Sequence, residues 1–474
     1  MKKSTKALIG ILVCVIVLAG AVVLLKVTEG VRGGEDASSQ TSSQTTDLIG
    51  KEEEDIASIL VTNEHGSYTI KPQEKEMEET SYYIEELHGF VVNTTSVTSA
   101  VTNGYKLTCQ RDLGAVEDLS EYGLDAPAAT VKVTYKDGDI LTYALGDATP
   151  SNSSYYYALV GDSDHVYIVS SVSSNFFNPV SNYVDKSVVS LTPETEDGTN
   201  VFTKLTLSGG NYPEVLSVAI DSEAGTCRLT APVAFDADKS VVNTITAALE
   251  SITASSVAVL HPDESKLQEL GLDAPEAVIE FTANGQDYKL SVAKKDDSTY
   301  YMLRNGVDLV YEVGADTVST WISLSRFEMR DHTVLSGIVT EFSGVTYAGA
   351  AEGSISISRT VDEEESTEEN TVYAYEATLS NGNTLSYDTF RTDFADLLML
   401  EVTEEAQDAP AGDPALRLEL SRFDADGLTV VEFYPASERR YYAVRDGEVL
   451  GLVRADVYEE LEVQLVALLD GDAE

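Results

Sequence analysis

The sequence predicts an α+β protein in which an N-terminal transmembrane helix is followed by three tandem α+β repeat units with mainly antiparallel sheets. Three observations lead to this prediction. Residues 7–25 form one uncharged run that is long enough to cross a bilayer. A helix-stop motif occurs twice, at residues 119–127 and 267–275. After each copy, an Asp-Gly or Asn-Gly pair separates two alternating stretches, which is typical of a β-hairpin.

The N-terminal segment, residues 1–26, is predicted to be a basic cytoplasmic end followed by a signal-anchor helix. Lys2, Lys3 and Lys6 precede the uncharged run, and this places the N-terminus in the cytoplasm and the rest of the chain outside. A cleaved signal peptide is the alternative, because residues 19–21 read Ala-Gly-Ala and resemble a cleavage site. The apolar run continues past that point, which favours an uncleaved anchor.

Residues 27–55 are predicted to be a flexible Ser/Thr/Gln linker. Their centre, residues 38–46, has nothing to bury and would hold the body a short distance from the membrane. After the linker the chain repeats. The predicted boundaries are 56–193 for repeat unit 1, 194–340 for repeat unit 2 and 341–474 for a divergent repeat unit 3. Each repeat unit is long enough to form its own core.

The first half of each repeat unit is predicted to contain two or three strands and then a helix. The clearest helix covers Ser240–Ile252, where apolar residues recur at helical spacing and Asp238 or Ser240 is the expected N-cap. The corresponding helices are expected near Tyr82–Val101 and over Phe390–Glu401. The strands predicted before these helices are Ile56–Thr62, Ser67–Pro72, Phe202–Leu207, Val215–Asp221, Thr226–Thr230, Gly344–Ala348, Ser354–Arg359 and Thr371–Leu379.

The stop motif separates the two halves. Gly123 is expected to adopt the left-handed conformation that ends a helix, and Pro127 prevents the helix from resuming. Gly271 and Pro275 hold the same positions in the second copy. Repeat unit 3 keeps only Asp408-Ala-Pro410, without the glycine.

The second half of each repeat unit is predicted to contain two hairpins and a closing helix. Asp137-Gly138 and Asn284-Gly285 are the expected first turns. The closing helices are expected over Ser171–Val184, Ala315–Phe327 and Ala455–Leu469. The predicted strands are Thr130–Tyr135, Ile140–Leu145, Tyr155–Val160, Val166–Val169, Val278–Ala283, Asp287–Val292, Tyr300–Leu303, Leu309–Val313, Leu416–Leu420, Thr429–Tyr434 and Arg440–Val444.

Charge and cysteine content narrow the class of protein. The chain has 31 basic and 80 acidic residues, a formal net charge of −49, which argues against nucleic acid and anionic lipid as partners of the body. Cys14 lies in the apolar run. Cys109 and Cys227 allow at most one internal disulfide, or are both small core residues.

A family resemblance rests on three motifs. They are the Tyr-Gly-Leu-Asp-x-Pro stop, the hairpins with Tyr-Tyr and Val-Tyr-x-Val, and the Asp-Lys/Arg-x-x-Val-Leu element that follows each closing helix. With them, residues 56–340 resemble the bacterial family "domain of unknown function 4340", and repeat unit 3 resembles it in outline. The resemblance implies a membrane-anchored, extracytoplasmic protein, with an ABC transporter of the gliding-motility type as the associated system. It supplies no catalytic residues.

We predict no catalytic, cofactor-binding or metal-binding residues and no cofactor. No two of the five histidines have the spacing of helical metal ligands, and the common hydrolase, phosphate-loop and Cys-x-x-Cys motifs are absent from the sequence. Residues 291–294 match Ser-x-x-Lys, but in a predicted strand the two side chains point to opposite faces. Residues 161–165, Gly-Asp-Ser-Asp-His, are interpreted as a hairpin turn.

Two further residue groups bear on binding. Acidic groups with calcium-binding chemistry lack the spacing of a calcium loop; they are Asp137/Asp139, Asp162/Asp164 and Asp362–Glu365. Tyrosines recur at matched positions, 155–157, 300–301 and 441–442. Since neighbours in a strand face opposite sides, one of each pair is expected in the core and one exposed. An exposed tyrosine row would bind glycan or peptide, whereas packing on the strand face is the more ordinary interpretation.

The expected function is that of a non-catalytic accessory protein of the bacterial envelope, anchored in the cell membrane and binding a partner such as an ABC transporter subunit. This partner class rests on the family resemblance. One alternative is an extracytoplasmic glycan- or peptide-binding module. Another is an envelope enzyme whose site is built across repeat units.

Overall fold

The computed structural model of the chain describes residues 46–48, 51–73, 81–170, 172–195, 197–367 and 370–471. It divides into two compact units, one that ends at Val180 and one over Ser181–Glu474. The predicted transmembrane helix at residues 7–25 and most of the predicted linker lie outside the described residues. Within the described ranges, no helix is both long enough and apolar enough to cross a membrane.

The first unit is built on one sheet. Its strands are β1 (Thr46–Asp47), β2 (Ile56–Asn63), β3 (Gly66–Gln73), β4 (Ser81–Ile84), β5 (Thr108–Ala115), β6 (Ala129–Tyr135), β7 (Ile140–Thr149), β8 (Asn152–Val160) and β9 (His165–Ser170). They pair antiparallel in the order β1-β5-β9-β8-β7-β6-β2-β3-β4. Every second residue of β6, from Ala129 to Tyr135, is buried, so one face of the sheet carries the core.

The second unit begins with a two-stranded pair and a second large sheet. The strands are β10 (Ser187–Ser190), β11 (Phe202–Ser208), β12 (Leu216–Asp221), β13 (Thr226–Ala231), β14 (Phe235–Asp236), β15 (Ser251–Thr253), β16 (Ser256–Leu260), β17 (Ala277–Ala283), β18 (Gln286–Lys294), β19 (Thr299–Arg304) and β20 (Leu309–Gly314). β10 pairs with β15, and the other nine form the antiparallel order β14-β13-β12-β11-β17-β18-β19-β20-β16.

A third sheet completes the second unit. Its strands are β21 (Phe342–Ala348), β22 (Glu352–Val361), β23 (Tyr373–Leu379), β24 (Thr384–Leu385), β25 (Leu416–Arg422), β26 (Leu428–Ser437), β27 (Arg440–Arg445) and β28 (Glu448–Arg454). Their order is β24-β23-β22-β21-β25-β26-β27-β28, again antiparallel. The predicted α+β class with mainly antiparallel sheets is thus confirmed.

Within the ranges that the structure describes, helices are few and mostly short. They are α1 (Thr94–Thr102), α2 (Lys239–Leu249), α3 (Glu264–Glu269), α4 (Ala315–Val318), α5 (Arg326–Met329), α6 (Tyr387–Leu398) and α7 (Ala455–Asp470). Single 3₁₀ turns lie at Glu53–Asp55, Glu85–Leu87, Leu119–Tyr122, Ser174–Phe177, Val180–Tyr183 and Val339–Glu341. The predicted N-cap Asp238 is confirmed, because its carboxylate accepts the N–H groups of Ser240 and Val241.

The central strands of all three sheets follow one order, whereas the first two sheets carry additional edge strands, β5 with β1 beyond β9 and β16 beyond β20, that the third sheet lacks. The first-half strands run outward in sequence from β2, β11 or β21, and the second-half strands run outward on the other side from β6, β17 or β25. The two halves join where these strands pair, for example at Leu205 opposite Phe281 and at Val345 opposite Leu420. The helix α1, α2 or α6 lies between the halves in sequence, and in the second sheet α3 follows α2 there.

The predicted helix stops are present in the structure. Gly123 and Gly271 have φ values of 65° and 74°, in the left-handed region. After each glycine the backbone closes in the same way: the N–H of Leu124 donates to the carbonyl of Leu119 at 3.1 Å, and that of Leu272 donates to Leu267 at 2.8 Å.

Several predicted helix extents are wrong. In the predicted segment Tyr82–Val101, β4 pairs with β3 and only α1 is an α-helix. The closing helix over Ser171–Val184 is replaced by two 3₁₀ turns on either side of Pro179, which cannot continue a helix. The closing helix over Ala315–Phe327 is split into α4 and the start of α5, because Ser325 caps a new helix at that point.

Both body cysteines are free and partly buried. Burial raises the pKa of the Cys109 thiol and of the Cys227 thiol above the ordinary value, so both thiols are protonated and unreactive at neutral pH. They do not form the one internal disulfide that the sequence allowed, and neither belongs to the fully buried core.

Candidate functional site

A cavity of about 300 Å³ in the second unit is the candidate site. Four segments surround it: the β13–β14 hairpin, α5 with the residue after it, residues 405–409, and the turn between β27 and β28. Sheets two and three both contribute residues, which lie far apart in sequence. The cavity is at the small end of the volumes that bind small molecules.

The capping of α5 fixes the two arginines of the cavity. The Ser325 hydroxyl accepts the N–H of Glu328 at 3.2 Å, and the Glu328 carboxylate accepts the N–H of Ser325 at 2.7 Å. These bonds lower the pKa of Glu328, so it stays ionised. Arg326 is the first residue of this helix and Arg330 is its C-cap. Both side chains line the cavity.

Arg330 is a buried cation without a hydrogen-bond partner on one edge. Its side chain is only 7% exposed, and its guanidinium carbon lies 4.0 Å from the centre of the Phe235 ring and 5.5 Å from that of Phe327. In the described part of the chain, no acceptor bonds to its buried Nε or Nη2 atom. Burial lowers the pKa of Arg330 below its ordinary value, opposed chiefly by Glu405, but an arginine stays charged in proteins.

Arg326 differs from Arg330 because its charge is paired. Its Nε donates to the Glu405 carboxylate at 3.0 Å, its Nη2 contacts the same oxygen, and Glu214 lies 3.8 Å away. The Glu405 carboxylate is therefore engaged by Arg326. Among the residues that line the cavity, Arg330 is left as the cation that lacks a close anion.

Three other arginines of the same unit also lie over aromatic rings, and two of them bind a carboxylate. Arg359 lies 4.4 Å from the ring centre of Phe423 and donates to both oxygens of Asp424, at 2.6 and 3.0 Å. Arg422 lies 4.4 Å from the ring centre of Phe342 and pairs with Glu341 at 2.5 Å. The third, Arg304, lies 5.3 Å from the ring centre of Tyr288, and its Nη1 donates to the backbone carbonyl of Val188. A carboxylate is thus one of two kinds of acceptor that ring-stacked guanidinium groups bind in this unit.

The rest of the cavity combines an apolar wall with acidic side chains. Val233 and Val449 provide apolar surface, and Asp408 and Glu448 are exposed carboxylates at its edge. Val233 is itself about half exposed although it is apolar. The cavity therefore offers one buried positive charge, an apolar side and a negative rim.

The sequence motifs that suggested chemistry do not converge on this cavity. Ser291 is buried in β18, whereas Lys294 is exposed and bonds to Asp297 at 2.8 Å, so Ser-x-x-Lys is split across the strand as predicted. Residues 161–165 join β8 to β9, as the turn interpretation predicted. The Nδ1–H group of His165 donates to the Asp112 carboxylate at 3.0 Å.

The acidic pair nearest to a cation-binding geometry is already occupied. Lys51 Nζ lies 2.8 Å from Asp139 and contacts Asp137, and the Lys51 bond lowers the pKa of Asp137. Asp362 accepts the N–H groups of Glu364 and Glu365, which is the geometry of a turn. Over the described ranges, no group of three or more potential metal ligands is assembled.

The tyrosine expectation is wrong in its geometry. All the tyrosines at 155–157, 300–301 and 441–442 are partly buried, so neither member of a pair stands fully exposed. Rings of the chain cover them: Tyr156 stacks on Phe177 at 4.8 Å and Tyr441 on Tyr458 at 3.9 Å between ring centres. These tyrosines pack on the strand faces.

A second, smaller cavity of about 190 Å³ lies on the face of β17 and β18. Its charges are largely satisfied by one another, since Lys289 pairs with Glu280 at 2.9 Å and Asp287 accepts a bond from Thr282 at 2.6 Å. This cavity therefore has fewer unpaired charged groups for a ligand to bind than the Arg330 cavity has.

Sequence reasoning missed Arg330, although one signal was present. The element Met329-Arg-Asp-His corresponds to Tyr183-Val-Asp-Lys in the first half of the chain. Arg330 therefore occupies the position of Val184, which is a buried core residue. A charged residue at an apolar position of a repeated motif is a reason to look for a partner.

Comparison with known proteins gives one result. The model of a family described as "Domain of unknown function (DUF4340)" matches residues 83–204 and 228–412. These two segments span parts of all three sheets and the helix that carries Arg330. No curated protein and no solved structure matches the chain.

Proposed function

This chain belongs to the DUF4340 family, and from that premise we propose that it is a membrane-anchored, extracytoplasmic accessory protein of the bacterial cell envelope. In this proposal it is non-catalytic and binds a partner protein, an ABC transporter subunit of the gliding-motility type. The partner class rests on family analogy.

The proposed anchor is the uncharged run at residues 7–25. Its 19 residues would span about 29 Å as a helix, close to the thickness of a bilayer core. The lysines before it favour a cytoplasmic N-terminus. The linker at residues 27–55 would then connect the anchor to an extracytoplasmic body.

The observation that carries the binding function is the order of central strands that three sheets share. We interpret the sheets as three tandem repeat units, with the boundaries predicted from the sequence. Proteins built from repeated units use the surfaces that successive units present side by side for binding large partners. The net charge of −49 favours a partner with a basic surface.

The test is an affinity purification from gently solubilised membranes of the native organism. The control bait carries residues 1–55 fused to an unrelated soluble protein, so it shares the anchor and linker but lacks the body. We expect transporter subunits to co-purify with the full chain and not with the control, and a tagged subunit to recover the chain in return. If the two baits recover the same proteins, the accessory function is rejected.

A second candidate function is binding of a small extracytoplasmic ligand. The Arg330 cavity favours it, because an unpaired buried cation is costly unless a bound anion neutralises it. In this version the predicted glycan- or peptide-binding module uses the cavity, and the tyrosine-bearing strand faces have a packing role.

A further inference from the structure

We propose that the Arg330 cavity binds a small zwitterionic carboxylate, an α-amino acid or the C-terminal residue of a peptide, through the guanidinium of Arg330. The inference deepens the second function proposed above and rests on it. It is independent of the transporter partner.

The buried positive charge of Arg330 has no close anion. A guanidinium that leaves water loses its hydration, and proteins compensate for that loss with a carboxylate or with hydrogen bonds. Arg330 is 93% buried, yet its Nε and Nη2 atoms have neither compensation in the described part of the chain. These two atoms are enclosed by protein, but the guanidinium as a whole lines the cavity, so a ligand carboxylate bound there would provide the opposite charge.

The second step is the shape of the recognition group. Phe235 and Phe327 contact the guanidinium at ring distance and hold its plane, as aromatic rings do at other arginines of the fold. A guanidinium held in this way lines the cavity as a planar cation with N–H donors, and such a group matches a carboxylate. Arg359 shows that a ring-stacked guanidinium of this fold can bind a carboxylate, because its Nη1 and Nη2 atoms donate to the two oxygens of Asp424.

The third step is the sign of the remaining charge. Asp408 and Glu448 are exposed at the cavity, and Glu405 lies inside it. Repulsion from these carboxylates disfavours a ligand with two negative charges, such as a dicarboxylate or a phosphate ester. A ligand with an ammonium group next to its carboxylate matches both parts of the cavity: its carboxylate pairs with Arg330, and its ammonium group is attracted by the acidic side chains. The size of about 300 Å³ suits one residue and not a long peptide.

The test is isothermal titration calorimetry with the purified full-length chain in detergent. The probes are L-leucine, L-lysine, glycyl-L-leucine and glycyl-L-lysine, with L-leucinamide and L-lysinamide as matched probes that lack the carboxylate. We expect saturable binding of at least one carboxylate probe and none of its amide. Tighter binding of the dipeptides would assign the ligand to peptide ends, and tighter binding of the free amino acids would assign it to free amino acids. Absence of binding by all four carboxylates, or equal binding of the amides, overturns the proposal.

Variants connect the binding to this cavity. Arg330→Met should raise the Kd about tenfold or more, because a charge-assisted pair of hydrogen bonds is lost. Arg359→Met removes a ring-stacked arginine outside the cavity and should leave the Kd unchanged. Ala409→Trp, which fills the cavity without touching the charge, should also abolish binding. If Arg330→Met and Ala409→Trp, confirmed as folded by circular dichroism, bind like the original chain, the site lies elsewhere and the proposal fails.

The outcome separates this inference from the accessory function. A chain that binds none of the probes but still recovers transporter subunits leaves the accessory function intact and removes the ligand. A chain that binds a probe but recovers no transporter subunit supports the ligand and rejects the accessory function.

Discussion

At the residue scale, the buried charge of Arg330 is explained by ligand binding and not by a contribution to the stability of the fold. Aromatic contacts recover part of its desolvation cost, but its Nε and Nη2 atoms stay without acceptors. Residues kept for binding are commonly suboptimal for stability, and their replacement then stabilises the protein.

The first prediction concerns the stability of the ligand-free chain. Arg330→Met should leave the free energy of unfolding unchanged or raise it by about 1 kcal/mol, because an unpaired buried charge is removed. The matched variant Arg326→Met should lower it by about 1 kcal/mol, since Glu405 loses its partner. Urea unfolding followed by the fluorescence of Trp321, the one tryptophan of the chain, measures both. A larger loss for Arg330→Met than for Arg326→Met would show that Arg330 is a structural residue.

The second prediction concerns pH and the pair of His165 with Asp112. The hydrogen bond to Asp112 raises the pKa of His165 above its ordinary value of 6.5, and the same bond lowers the pKa of Asp112 below 3.8. The pair therefore contributes its full stabilisation between pH 3.8 and pH 6.5, the ordinary pKa values of the two groups. The histidine contribution is lost as the pH rises through its raised pKa, and the aspartate contribution is lost as the pH falls through its lowered pKa.

An NMR titration of the histidine ring protons measures this effect directly. The His165 signal, assigned from its loss in His165→Gln, should titrate above pH 6.5, and Asp112→Asn should return it toward the ordinary value. A His165 pKa at or below 6.5 in the original chain would contradict the role given to Asp112.

At the element scale, the two helix stops share a conformation but differ in their surroundings. Both glycines have a positive φ, which costs an L side chain about 1 kcal/mol or more. A Cβ at Gly271 would meet only the Ala293 Cβ at 3.5 Å, an ordinary contact. A Cβ at Gly123 would lie 2.7 Å from the Asp147 carboxyl carbon and 3.0 Å from the Asp147 backbone nitrogen, so the neighbouring chain must move.

The third prediction follows from this difference. Gly271→Ala should lower the free energy of unfolding by about 1 kcal/mol, and Gly123→Ala should lower it clearly more, because steric overlap adds to the backbone strain. Urea unfolding followed by far-ultraviolet circular dichroism compares the two variants. Equal losses would mean that Asp147 adapts freely, and no loss in either would mean that the stops do not need glycine.

Local signals explain which elements could be predicted. Asn284-Gly285 and Asp446-Gly447 both have positive φ values in the structure, because tight hairpin turns need them and few residue types supply them. The helix stops could be predicted for the same reason, because each needs a glycine with a positive φ at one position. The closing helix over Ala315–Phe327 failed because its apolar spacing competes with Ser and Thr residues that bond to nearby backbone; the Ser319 hydroxyl, for example, donates to the carbonyl of Asp316.

The candidate site could not be predicted in the same way. Phe235, Arg330 and Glu448 meet only after sheets two and three have formed. A pattern within any one segment does not show which distant ring stacks on which arginine. The unusual residue at position 330 of a repeated motif was visible in the sequence, but its surroundings were not.

At the scale of the whole molecule, the described chain has two compact units and three sheets whose central strands share one order, and the proposed anchor lies at the N-terminus. The strong acidity is distributed over a body that the proposal places outside the cytoplasmic membrane, where it would stay soluble and avoid anionic surfaces. Both proposed functions require this extracytoplasmic location, because the proposed transporter partner and the proposed ligand are bound outside the cytoplasmic membrane.

The most direct test of that claim is protease digestion of right-side-out spheroplasts that express the full chain with one epitope at each end. The account predicts that external protease removes the C-terminal epitope and leaves the N-terminal epitope intact in the membrane fraction, with both lost when detergent opens the membrane. Protection of the C-terminal epitope in intact spheroplasts, or recovery of the undigested chain in the cytoplasmic fraction, would contradict it.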